Sequence, residues 1–261
     1  MDFDKFGLSR IKIKSNWFEQ GKDSIFYRMG KEEGLNIYLQ LFRFRVHQGS
    51  FYEHYFVTSI NELRKFTKVN GSSRLSSKHV VSLLKNLTSL GIIQNHTIKN
   101  WKYIFDDKGQ VMGDRLLKLE ATDTPNTHAV SDDYGNTVDK PITNEDWYIS
   151  INFKIINHMY KDLSLNAKDI VVYLLLLKLS NSGENKATIN INTMKKWLGY
   201  GNDTILEILK RLNAAYMVAT YVRVKGKSIS FEHLPVKSYD QIGNFKKTHK
   251  EQCVRFLKRY S

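Results

Sequence analysis

The sequence predicts an α+β protein, mainly helical with small β hairpins, built as two similar units with an acidic linker between them. Three observations carry this. Apolar residues recur at helical spacing in successive runs in each half of the chain. Each set of runs is followed by alternating apolar residues around a polar turn. Between the halves, residues 121–146 hold Asp123, Asp132, Asp133, Asp139, Glu145 and Asp146 against one base, Lys140, together with Pro125, Pro141 and Gly135. That composition offers too little apolar surface to offset the entropy of ordering, so a loop or linker is expected there. The expected boundaries are a first unit over 1–120, the linker over 121–146, a second unit over 147–236 (Pro235 follows its last strand-like segment) and a basic tail over 237–261.

The elements follow in order. Leu35 to Phe42 has helical spacing, and so does Ala167 to Leu179, with Ile170, Tyr173, Leu174 and Leu177 on one face. Ser59-Ile60-Asn61-Glu62-Leu63-Arg64-Lys65-Phe66 parallels Asn190-Ile191-Asn192-Thr193-Met194-Lys195-Lys196-Trp197: a cap, Ile-Asn, one residue, Leu or Met, two bases, an aromatic. Ser59 with Glu62 reads as a capping box and Asn190 as a single cap, each oxygen accepting an otherwise orphaned N–H. Short polar turns follow, over 69–73 and 199–202. The third helices are expected over Ser76 to Leu90, with Val80, Leu84 and Leu87 inward and Gly91 closing in a left-handed conformation, and over Asp203 to Ala215, with Ile205, Ile208, Leu209 and Leu212 inward. Tyr216 to Val224 and Ser228 to Phe231 then flank Lys225-Gly226-Lys227 as a hairpin. In the first unit Trp101, Tyr103 and Phe105 alternate before Asp106-Asp107-Lys108-Gly109, with Leu117 and Leu119 on the return strand. The order helix, helix, turn, helix, hairpin occurs twice. It is that of the winged helix-turn-helix, so the expected fold is mainly α with small β wings: two winged helix-turn-helix domains joined by an acidic linker.

Composition bounds the function. At 41% hydrophobic and 25% charged, the 261 residues read as an ordinary globular protein. A formal charge of +14, despite the acidic stretch, favours a polyanionic partner. The one cysteine, Cys253, excludes an internal disulfide framework and a Cys-based zinc cage. No signal peptide is visible, and the longest apolar run, Ile170 to Leu177, is far short of the roughly 20 residues of a membrane span; a cytoplasmic location without membrane contact is expected. Enzyme readings find no support. Gly226-Lys227-Ser228 ends like a phosphate-binding loop, but the upstream glycine would have to sit at Tyr221, inside a hairpin. No His-x-His or HExxH pattern occurs among the histidines, and His47 and His54 read as solvent-facing or hydrogen-bonded residues. No catalytic activity, metal or cofactor is expected.

The third helix of such a unit lies in the major groove, its N-terminal residues at base edges, while the preceding helix crosses the backbone. In the first unit this places Lys78, His79, Ser82, Lys85 and Asn86 outward, preceded by Ser72, Ser73, Arg74 and Ser77. Serines bond phosphates or base edges, and Arg or Lys reads guanine. The matched residues in the second unit are Asp203, Thr204, Glu207, Lys210 and Arg211, with Asn202 in the turn and Lys195 and Lys196 on the helix before it. Two acids offset two bases there, so the first helix is the stronger candidate, and weak reading or self-association is expected of the second. Arg223, Lys225 and Lys227 cluster at the second hairpin tip, where they suit the sugar-phosphate backbone, and Lys99, Lys102, Lys108 and Arg115 border the first hairpin. In the tail, Phe245, Val254, Phe256 and Leu257 suggest a helix docked by its apolar side, beside an excess of Lys and Arg.

Phe153, the run Leu163-Ser164-Leu165-Asn166-Ala167-Lys168 and Val172-Tyr173-Leu174-Leu175 resemble the opening helix of the winged-helix modules in plasmid and phage replication initiators and in replisome organisers. The resemblance covers 35–120 and 150–235. It implies a sequence-specific double-stranded DNA-binding protein that marks or melts an origin, with self-association and a helicase or primase as partners. Two alternatives stay open: a transcriptional regulator that binds an operator with the same modules, and a DNA-partitioning or adaptor protein that uses one module for protein contact.

Overall fold

The computed structural model describes residues 10–19, 21–46, 54–67, 74–131, 137–143, 147–181, 185–225 and 228–260. It is an α+β protein of several helices and small antiparallel sheets. The backbone divides into two compact units, one of Met1–Trp17 with Lys22–Tyr148, the other of Phe18–Gly21 with Ile149–Ser261.

The first unit opens with strand β1 (Arg10–Lys14), whose Ile11 and Ile13 are buried. After a 3-10 turn come α1 (Ile25–Arg28) and α2 (Lys31–Leu41). Every residue from Gly34 to Leu41 is buried, so α2 is a central helix rather than an amphipathic surface one. Gly30 starts it at φ +98°, and a Cβ there would lie 2.7 Å from Leu83 Cδ2, which shows how closely this turn meets the third helix. Strand β2 (Tyr55–Ser59) leads into α3 (Ile60–Arg64). The Ser59 hydroxyl accepts the Glu62 N–H at 3.2 Å as expected of the cap, while the Glu62 carboxylate pairs with Lys65. Then α4 (Ser77–Ser89) begins on a Ser76 cap, buries Val80, Leu84 and Leu87, and stops before Gly91 at φ +69°. Strands β3 (Ile93–Asn95) and β4 (Leu116–Ala121) complete a sheet ordered β2-β4-β3. Thr58 lies opposite Leu117 and Ile93 opposite Ala121.

Two expectations are corrected here. Trp101, Tyr103 and Phe105 do not alternate in a strand, because Asn100–Ile104 is a 3-10 helix. The Asn95 side chain accepts the Thr97 N–H at 2.9 Å and donates to Asn100 Oδ1 at 3.1 Å, and Lys99 and Asn100 both take positive φ. This Asx turn diverts the chain, and Ile104 alone of 100–105 is fully buried. The acidic segment is not merely a loop. Ala121 ends β4, and a hairpin of β5 (Thr127–Ser131) and β6 (Thr137–Pro141) follows, Val130 opposite Val138. Pro141 stands at the strand end, where its missing N–H is tolerated. Residues 132–136 and 144–146, with Asp132, Asp133, Gly135, Glu145 and Asp146, lie outside the described residues, as do His47 and the turn over 69–73.

In the second unit, Asn152 at the end of β7 (Tyr148–Asn152) caps α5 (Phe153–Lys161) by accepting the Lys154 N–H at 2.8 Å. Helix α6 (Ala167–Asn181) is buried from Ile170 through Leu177, all round and not on one face, and is the counterpart of α2. Strand β8 (Ala187–Thr188), α7 (Ile191–Leu198), α8 (Asn202–Ala214), β9 (Val218–Lys225) and β10 (Ser228–Pro235) follow. Asn190 caps α7 through the Thr193 N–H at 2.8 Å. The sheet order is β8-β10-β9, with Phe231 opposite Val222. Both units therefore run helix, strand, helix, helix, strand, strand, with the last strand central in the sheet. The matched third helices also share a bond: Thr88 Oγ1 donates to the Leu84 carbonyl at 2.9 Å, and Asn213 Nδ2 to the Leu209 carbonyl at 2.8 Å.

The tail is a helix, α9 (Ile242–Tyr260), packed on α8 and β9 through Phe245, Cys253 and Phe256. Strand β9 is an edge, and α9 covers its start: Gln252 donates to the Thr220 carbonyl at 2.7 Å and the Cys253 thiol to that of Val218 at 3.7 Å.

A buried polar chain locks α8 to this sheet. Asn213 Oδ1 accepts the Thr220 N–H at 2.9 Å, and its Nδ2 donates to Thr220 Oγ1 at 2.8 Å. That hydroxyl meets His233 Nδ1 at 3.1 Å, and His233 Nε2 reaches the Ile189 carbonyl at 3.3 Å. These partners assign the neutral tautomer with the proton on Nε2. Burial pushes the imidazole down to about 4, although the bond to Ile189 pulls the other way. An unfolded histidine titrates near ~6.5, so the unfolded chain takes up this proton first as pH falls. Stability from a neutral His233 is complete above about pH 6.5 and is lost as pH falls toward ~4, by about 3 kcal/mol. Urea denaturation from pH 7.5 to 4.5, monitored in the second unit, is expected to show this fall, and His233→Leu to flatten it.

Candidate nucleic-acid interface

The candidate surface of the first unit is built on α4. Its apolar stripe faces the core, which leaves Lys78, His79, Ser82, Lys85 and Asn86 exposed, with Arg74 exposed just ahead of the helix and Ser77 half-buried. The helix carries no acid. Arg74, Lys78 and Lys85 take part in no ion pair among the described residues. Arg64, ending α3, donates from Nε to the Leu75 carbonyl at 2.8 Å and so fixes the entry to α4. Two of the outward residues are positioned by neighbours. His79 Nε2 lies 2.6 Å from Glu33 Oε2 on α2, and Lys85 Nζ sits 5.1 Å over the Phe105 ring. Ser72 and Ser73 lie outside the described residues.

Around this helix, Asn61 Nδ2 donates to Asp114 Oδ1 at 2.7 Å, and the Asn61 N–H to the Gly113 carbonyl at 2.9 Å, so α3 is tied to the loop before β4. Arg115 bonds the Tyr103 carbonyl and covers the Tyr103 ring, a packing role. Lys102 and Lys108 are exposed.

In the second unit three of the five sequence-predicted cations whose side chains are described are engaged in ion pairs. Arg211 is the clearest reassignment. Its Nε reaches Asp169 Oδ1 and Oδ2 at 3.0 and 3.2 Å, and its Nη2 reaches Oδ1 at 2.7 Å. Asp169, in the first turn of α6, is fully buried and also accepts the Asn166 N–H at 2.8 Å. A buried carboxylate needs its counter-charge, so Arg211 serves the fold rather than an outside ligand. Lys210 pairs with Glu207 at 2.8 Å, and the ammonium holds that carboxyl below the usual carboxylate range. Arg223 pairs with Glu232 across the β9–β10 ladder at 2.9 Å. Asn202 is exposed and donates to Asn192 Oδ1 at 3.4 Å; Thr204 is half-buried. Lys195 and Lys196 on α7 are exposed and enter no ion pair among the described residues. Lys225 closes β9, its side chain and all of Lys227 lying outside the described residues.

Sequence reasoning missed two participants. Asp169 lies 42 positions from Arg211, so no local pattern joins them. Glu33 lies 46 positions from His79 in the chain. Among the described residues no cluster of His, Cys, Asp or Glu is arranged to hold a metal ion, and no helix is long and apolar enough to cross a membrane. Comparison of the chain with family models, with curated proteins and with solved structures finds no match.

Removing Arg211 leaves the Asp169 carboxylate buried without its main partner. Arg211→Ala is expected to destabilise the second unit by about 2–3 kcal/mol, less than for a wholly buried pair because solvent screens the Arg211 side chain, which is 41% exposed. Chemical denaturation measures this, and Asp169→Asn combined with Arg211→Ala should lose less than the two single changes summed.

Proposed function

We propose that both units are winged helix-turn-helix modules and that the chain binds double-stranded DNA, without catalysis, with α4 in the major groove. The observation that carries this reading is the exposed face of α4, where Arg74, Lys78 and Lys85 stand among Ser82 and Asn86 with no acid on the helix. The common order of helices and strands in the two units, with the last strand central in each sheet, supports the module assignment. Asp203 and Glu207 on α8, and the engagement of Arg211 and Lys210, favour a lesser role in reading DNA for the second unit.

Within this reading the process is initiation of replication in a plasmid- or phage-type element, with a helicase or primase recruited to the origin. It rests on the resemblance carried by Leu163 to Lys168 and Val172 to Leu175. Footprinting on genomic fragments tests it: repeated sites at an origin are the expected outcome, whereas sites confined to a promoter would replace it by operator binding.

For DNA binding itself, Lys78→Ala with Lys85→Ala is expected to lower affinity for a duplex about tenfold or more near 0.1 M salt. The slope of log affinity against log salt should become shallower by about 2. Fluorescence anisotropy over a salt series measures both, and unchanged binding would overturn the assignment of α4.

A further inference from the structure

We infer that the second unit meets nucleic acid through the outer face of α9 instead of through α8, as a sequence-independent contact to the phosphate backbone. The inference rests on the duplex-binding reading above but uses different residues. Helix α9 runs for 19 residues. Phe245, Cys253 and Phe256 dock it on α8 and β9, and His249 joins them through Phe245, with rings 4.5 Å apart, and through Tyr221 Oη at 3.0 Å. At about 100° per residue, Lys247 and Lys258 stand opposite this stripe, with Lys250 and Arg255 on its two flanks, all exposed. One acid, Glu251, stands among them and lies 3.8 Å from Arg255. Lys247 and Lys250 enter no ion pair among the described residues.

The geometry favours a duplex over a bilayer. An interfacial helix needs a free apolar face to enter the headgroup region, and the apolar face of α9 is already spent on α8 and β9. What remains outward is charged. From Lys247 to Lys258 the helix advances about 16 Å, at ~1.5 Å per residue, which exceeds the ~12 Å width of a major groove. Cations in such a line can meet phosphates along or across a groove without reading bases. The contrast with α8 is electrostatic: there Glu207 holds Lys210 and buried Asp169 holds Arg211, whereas α9 has one carboxylate for its whole outer face.

The test uses the full chain and a mixed-sequence DNA duplex, with affinity followed by anisotropy over a salt series. Lys247→Gln with Lys250→Gln is expected to make the log–log salt slope shallower by about 2, and to weaken specific and random duplexes equally. The thermal midpoint should not move, because both side chains are exposed. If this variant binds as the unaltered chain does while the Lys78 and Lys85 variant is impaired, the α9 contact is wrong and the α4 reading stands. If only the α9 variant is impaired, the α4 reading falls and α9 is the principal contact. If neither changes, both fall. Co-sedimentation with phosphatidylserine–phosphatidylcholine vesicles supplies the remaining arm: loss of vesicle binding in the α9 variant, with duplex binding intact, would assign this face to a membrane and overturn the inference.

Discussion

A carboxylate with no exposure to water, Asp169, sits at the head of α6, where its ionised form would cost several kcal/mol without compensation. Arg211 supplies the counter-charge through the Nε–Nη2 edge of its guanidinium, and the Asn166 N–H satisfies a further lone pair. The pair fastens the last turn of α8 to the first turn of α6, and α6 is the wholly buried helix around which the second unit is packed. The orientation of α8 follows from this tie, and so does its electrostatic character. A guanidinium held by a buried anion is withdrawn from the surface, and Lys210 is bound in its turn by Glu207.

The two units thus use one arrangement of elements for different surfaces. The helix at the centre of each is covered on all sides, and the third helix of each ends on a side-chain bond to the preceding turn. In the first unit α4 itself carries no acid, and its cations project. In the second, charge is internalised or neutralised on α8 and reappears on α9, which the first unit has no described counterpart of.

Features set by local chemistry were legible in the sequence. The caps at Ser59 and Asn190, the left-handed Gly91, both third helices and the β9–β10 hairpin all depend on residues within a turn or two of one another. The misreadings have equally specific causes. Aromatic alternation over Trp101 to Phe105 was outweighed by the Asx turn at Asn95, which sends the chain into a 3-10 helix. The acidic composition of 121–146 concealed the alternation that pairs Val130 with Val138. Strands β2 and β8 are short, and they find β4 and β10 only through distant pairing. At the candidate site, the outward residues of α4 followed from periodicity, but the engagement of Arg211 depended on a partner no spacing rule connects to it.

The bonds from Gln252 and Cys253 to the β9 carbonyls give α9 a second significance. An uncovered strand border is a template on which other chains stack. Excision of α9, as in preparing a minimal fragment for crystallisation, would strip that shield and bare the Phe245 and Phe256 seats together. Fragments of this half that are meant to stay monodisperse must therefore extend through Tyr260.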